Sequence, residues 1–170
     1  MRTIRPLGHQ PNLAALRSDL HQLLAIFLAS KSIAEVASEE AKPVASVFNV
    51  QDIENDAITR LLLATSVTLR VLDDREDGRL EMFSVYCGTL TKDTSDPVAS
   101  GGGLTLREAC NKIIHATEVE LDRSSLHTGH SYLNPYVYLS GKDQRSRDWQ
   151  VSLKVAQFVR EGLVGISLIA

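Results

Sequence analysis

Residues 100–121 read SGGGLTLREACNKIIHATEVEL, the stretch where helix-forming signals and reactive side chains coincide. Gly101, Gly102 and Gly103 resist regular structure. Thr105 and Glu108 then form the Thr-x-x-Glu spacing of a capping box, whose side chains satisfy the first free amides of a helix. The spacing predicts a helix starting at Thr105. Leu106, Ala109, Cys110, Ile113, Ile114 and Leu121 recur with helical period, which predicts an apolar, buried side that runs as far as Leu121. On the other side Arg107, Asn111 and His115 fall at i, i+4 and i+8. Four residues overshoot one α-helical turn by only about 40°, so the three form one polar stripe, which Glu118 extends.

That stripe suits a definite chemistry. Histidine exchanges a proton near neutral pH, arginine holds a phosphate or carboxylate with a fork of donors, and asparagine can orient either partner. Together they fit phosphodiester cleavage, with His115 as acid or base, Arg107 as phosphate clamp and Asn111 as orienting group. The same pattern also arises on a plain solvated helix face.

The run Cys110-Asn111-Lys112-Ile113-Ile114-His115 resembles the signature of the HEPN superfamily, the higher eukaryote and prokaryote nucleotide-binding domains. Its motif is an arginine, usually followed by Asn, Asp or His, with a histidine a few residues on. Asn111-x-x-x-His115 matches the second half; Cys110 stands at the arginine's position, and Arg107 lies one helical turn earlier. The resemblance implies an all-helical context, RNA as the partner, and a homodimer in which two copies of the stripe face one cleft, in a defence or toxin–antitoxin setting. It leaves two readings open. One is a metal-independent ribonuclease; the other is an RNA binder that does not cleave, since a cysteine supplies no fixed positive charge. Outside the resemblance, a helical interaction or dimerisation module with an internally hydrogen-bonded stripe accounts for the same residues.

A chain of 170 residues makes a single domain with a core of its own. Its net charge of −3 supplies no general pull toward nucleic acid, so RNA binding requires a local basic patch. Cys87 and Cys110 have neither paired nor zinc-type spacing, which predicts free thiols in a reducing compartment. Arg2 and Arg5 are not followed by an apolar signal region, and the run Leu23–Ala29 is too short to span a bilayer. The expectation is therefore a cytoplasmic protein without membrane, cofactor or metal. The run Asp73–Gly78 lacks the alternating ligands and distal glutamate of a calcium loop and reads as a solvated turn. His127 and His130 read as loop residues, with a zinc site completed by His115 or Glu118 as the minor alternative. The triple glycine lacks the Gly-Lys-Ser/Thr ending of a phosphate loop.

In chain order, residues 1–11 read as a loose arm, and Asn12 as the cap of a first helix bounded by Glu39, Glu40 and Pro43. A second helix spans about 49–73. Its stretch Ile58–Ala64 is apolar almost all round, which predicts the central helix of a bundle, with Arg60 and Arg70 projecting. Leu80–Leu90 fits either a helix or a short strand, and 91–103 reads as a flexible loop. Tyr136–Ser140 and Trp149–Leu153 predict a β-hairpin. Lys142, Arg145 and Arg147 crowd its tip beside Tyr136, Tyr138 and Trp149, the candidate contact to a nucleic-acid backbone. A short helix from Lys154 to about Gly162 and an apolar tail, Val164–Ala170, close the chain. The predicted fold is mainly α: three or four main helices in a bundle, with a small C-terminal β-hairpin.

Overall fold

A computed structural model of the chain describes residues 11–39, 50–92 and 101–169. Helices α1 (Leu13–Glu39) and α2 (Val50–Arg75) come first. Strands β1 (Tyr86–Lys92) and β2 (Gly102–Thr105) follow, then helix α3 (Leu106–His115). Strands β3 (Glu118–Ser125), β4 (Ser131–Lys142) and β5 (Asp148–Lys154) lead into a closing helix α4 (Val155–Ser167). The five strands form one antiparallel sheet in the order β2-β1-β5-β4-β3. This corrects the expected helical bundle: the fold is α+β, and the predicted hairpin, β4 with β5, is part of a sheet that β1, β2 and β3 extend on both sides.

Local signals explain most element boundaries. Asn12 caps α1 by accepting from the Ala15 amide at 3.1 Å. At the start of α3 the Thr105 hydroxyl accepts from the Glu108 amide at 3.2 Å, as the capping box predicts. The Leu106 and Arg107 amides donate to the Val85 and Met82 carbonyls, so these first-turn donors are already taken. The helix stops at His115 and does not continue to Leu121. Beyond it Val119 and Leu121 alternate with Glu118, Glu120 and Asp122, the period of a strand, and this segment pairs with β4 as the charged edge of the sheet. Glu118 therefore leaves the predicted helical stripe.

The glycines expected only to break structure have a place in β2. A Cβ on Gly103 would sit 2.6 Å from the Tyr86 ring, so a larger residue there requires that half-exposed ring to move. Of the expected loop 91–103, residues 91 and 92 belong to β1 and 102 and 103 to β2. Residues 93–100, residues 1–10 of the expected arm 1–11, and the Pro43 linker lie outside the described residues.

Cross-strand pairing sorts the sheet into two faces. Leu90, Val151 and Leu139 lie abreast, as do Leu153, Val137 and Leu121, and these rows meet α1, α3 and α4. The opposite face carries Thr89, Ser152, Tyr138 and Glu120 in one row and Thr91, Gln150, Ser140 and Glu118 in the next. That face is a shallow polar surface. α2 packs on α1 and α3 through Ile58, Leu61, Leu62, Leu69 and Leu72. Leu63, Val67 and Val71 remain 46%, 43% and 41% exposed, so α2 is an outer helix and not the central one predicted. α1 as a whole, with mean hydropathy 1.3 over Leu13–Ser38, has the length and composition of a membrane-crossing helix, unlike Leu23–Ala29 alone. In the fold its Leu16, Leu20, Leu23 and Phe27 enter the common core. α4 passes through Gly162, where a Cβ would meet Leu20 at 3.3 Å and Leu69 at 3.4 Å; this glycine marks close packing, not a helix end.

A Cβ on Gly88 would lie 2.1 Å from the Ser152 carbonyl oxygen, a backbone atom that cannot move without opening the β1–β5 ladder. Gly88→Ala is expected to destabilise the fold by at least about 1–3 kcal/mol, as overpacking does, in urea unfolding. Gly102→Ala has nothing within 4 Å to meet and should stay within about 0.5 kcal/mol of wild type.

Candidate functional site

The predicted stripe of α3 divides between two environments. Arg107, in the first turn, faces the C-terminal end of α2. Its guanidinium donates to Asp73 and Asp74 and lies 4.8 Å from the centroid of the Phe83 ring. The Asp73 side chain is fully buried, and its Oδ1 has no hydrogen-bond partner, so Arg107 is what balances its charge. Burial works against the charged guanidinium, but the bonds it donates to Asp74 and Asp73 outweigh that and hold its pKa above the ordinary value. The Arg107 bond in turn lowers the pKa of Asp74. This revises the reading of Asp73–Gly78 as a solvated turn: Asp73, Asp74 and Arg75 complete α2, and Asp73 is interior. Arg70 joins the cluster through a 3.4 Å contact with Asp74.

Asn111 and His115 lie elsewhere. Together with Lys92, Glu108, Lys112, Lys142, Asp143, Gln144 and Trp149 they line an open groove of about 540 Å³, which Arg107 does not reach. The groove exists because β4 passes close beneath the end of α3. A Cβ on Gly141 would sit 2.5 Å from the Trp149 ring and 3.2 Å from the His115 carbonyl oxygen. Trp149 forms the floor, with the Lys112 ammonium 4.1 Å from its ring centroid, a cation–π contact. Burial, and then the neighbouring Lys92, push the pKa of Lys112 down. Lys92 pairs with Glu108 at 3.6 Å and Lys142 with Asp148 at 3.2 Å. Both are exposed pairs, worth under about 1 kcal/mol, and can exchange for another anion.

Of the basic trio predicted at the hairpin tip, Lys142 alone lines the groove. Asp143 organises the tip by accepting from the backbone amides of Arg145, at 2.8 Å, and Arg147, at 3.0 Å. It also takes the Arg147 guanidinium at 2.7 Å. These bonds, the Arg147 amide foremost, draw the Asp143 pKa down to about 2. Arg147 is thus committed to the turn, and Arg145 is exposed outside the groove. Sequence reasoning missed Lys92 and Lys112. Lys92 falls at the start of the expected loop 91–103, and Lys112 belongs to neither the apolar side nor the polar stripe of the helix, so no local pattern singles out either residue.

His127 and His130 occupy the exposed β3–β4 turn. β3 separates them from His115 and Glu118 by roughly 25 Å at strand rise, so the three-ligand arrangement does not form. Among the described residues no three His, Cys, Asp or Glu side chains come together. His21 is exposed on α1. Cys87 and Cys110 are free, buried thiols; burial raises both, Cys110 to about 12. The chain matches no protein-family model, no curated protein and no solved structure.

Removing Arg107 would leave a buried carboxylate uncompensated. Arg107→Ala is expected to lower stability by about 3–5 kcal/mol, against about 0.5 kcal/mol for His115→Ala, both read from urea unfolding. Asp143 gives a pH signature. Because its folded value is depressed, its contribution is complete above the ordinary range near about 4 and is lost as pH falls through about 2. The Arg145 and Arg147 amide resonances should shift together across that window and not in Asp143→Ala.

Proposed function

We propose that the protein is a non-catalytic interaction module that binds RNA in the groove between α3 and the β4–β5 turn. One observation carries the reading: Lys92, Lys112 and Lys142 converge with Asn111 and His115 beside Trp149, while Arg107 is held by Asp73 and Asp74. With their ion-pair partners counted, Lys92, Lys112, Lys142 and Arg147 stand against Glu108, Asp143 and Asp148, so the local balance is positive by one charge in a chain of net charge −3. A phosphate entering the groove exchanges with the exposed carboxylate partners of Lys92 and Lys142. Asn111 and His115 add hydrogen-bonding groups, and the HEPN-like spacing of these two residues supports RNA as the source of the phosphate. Cleavage is not assigned, because the arginine expected to clamp the phosphate is bonded within the fold and Lys112 and Lys142 offer no forked pair of donors.

Single-stranded oligouridylate is the probe, and the fluorescence of Trp149 is the reporter. A saturable change is expected, with affinity falling against salt at a log–log slope of about −2 for three neutralised phosphates. Lys92→Gln with Lys142→Gln should weaken binding and flatten the slope to about −0.7. An unchanged Trp149 signal in low salt, or equal binding by the double variant, refutes the reading. The same samples, held with a chelator and resolved on a gel, should contain intact RNA. Cleavage by wild type that His115→Ala abolishes would replace binding with nuclease activity.

A further inference from the structure

We propose that a second copy of this chain docks on the exposed face of α2, the two helices running antiparallel about a two-fold axis at Val67. Ile53, Arg60, Leu63, Val67, Val71 and Asp74 recur at spacings of three, four or seven residues, so they share one side of the helix. Leu63, Val67 and Val71 form its apolar middle, Ile53 is 65% exposed, and these four apolar residues stay exposed among the described residues.

The order of the charges selects the occupant. Arg60 lies seven residues before Val67 and Asp74 seven after; Leu63 and Val71 lie four to either side. In an antiparallel pair centred on Val67, each Arg60 meets the second copy's Asp74, each Leu63 meets a Val71, and Val67 meets itself. A parallel pair would set Arg60 against Arg60 and Asp74 against Asp74. The face is thus complementary to itself in one orientation, as a closed two-fold interface requires. Arg60 is exposed and makes no ion pair among the described residues. The Asp74 side chain is 54% exposed even while it holds Arg107, and a carboxylate has acceptor sites to spare. Phe83, 64% exposed beneath Arg107, continues the apolar surface past Asp74. Antiparallel docking turns that end toward the second copy's Ile53. The surface includes neither Asn111 nor His115, so it differs from a dimer that joins two copies of the α3 stripe, and it stands or falls independently of RNA binding.

The test combines solution mass with a cysteine placed on the proposed axis. Sedimentation at the highest soluble concentration should give twice the chain mass. Val67→Cys should form a disulfide-linked dimer under mild oxidation, whereas Leu28→Cys, exposed on α1 at 72%, should not. The native thiols are buried and do not compete. Arg60→Glu, which sets like charges together, should raise the dimer dissociation constant at least about tenfold. A wild-type monomer overturns the proposal. So does a dimer that Val67→Cys fails to link, that Leu28→Cys links equally well, or that Arg60→Glu leaves unchanged.

Discussion

The bond from Arg107 to Asp73 and Asp74 is the constraint on which the arrangement of this molecule depends. A carboxylate buried as deeply as Asp73 is tolerated only with a compensating charge close by. That requirement fixes the first turn of α3 against the last turn of α2. A second pairing works at the other end of α2, where Arg123 of β3 bonds Glu54 at 3.1 Å and Asn55 at 3.0 Å. Such pairs add little net stability compared with apolar residues of the same volume. Their effect is to define how α2 sits, since leucine packing alone has no direction. With α2 tied to α3 at one end and to the sheet edge at the other, α3 is held across the sheet, and its last turn meets the β4–β5 turn where the groove opens.

A division of labour along one short helix follows. α3 has ten residues, below the length at which an isolated helix is stable; it persists because its cap, its first-turn amides and Arg107 are all bonded to neighbours. The first turn is therefore structural. The last two turns carry Asn111, Lys112 and His115 into the groove, where each of these side chains keeps some exposure. Lys112 links the two roles, with its ammonium over the Trp149 ring and in the groove that Lys92 and Lys142 also line.

Local chemistry was legible in the sequence and long-range pairing was not. The Asn12 cap, the Thr105–Glu108 box, both long helices and the β4–β5 hairpin each depend on residues a few positions apart, and each was readable. The sheet depends on β1 pairing with β5, as in Leu90 with Val151, and nothing in a local period announces that. β2 is half glycine, and β3 carries an edge strand's charges, so neither resembles a buried strand. Arg107, Asn111 and His115 do share one helix, but Glu118, the expected extension of their stripe, lies in β3, and Arg107 faces α2 while the other two line the groove. What the stripe could not show is that the partners of Arg107 lie 33 and 34 residues upstream, inside an acidic run that looks solvated.

In the proposed reading Arg107 holds the fold, and Asn111, Lys112, His115 and Lys142 meet the ligand. Backbone and side-chain NMR of the wild-type chain, titrated with single-stranded oligouridylate, separates the two roles. Progressive shifts are expected at Lys92, Asn111, Lys112, His115, Lys142 and the Trp149 indole, with the Arg107 guanidinium resonance unmoved. Shifts centred on Arg107, with the groove silent, would contradict this reading and return the arginine to the role of phosphate clamp.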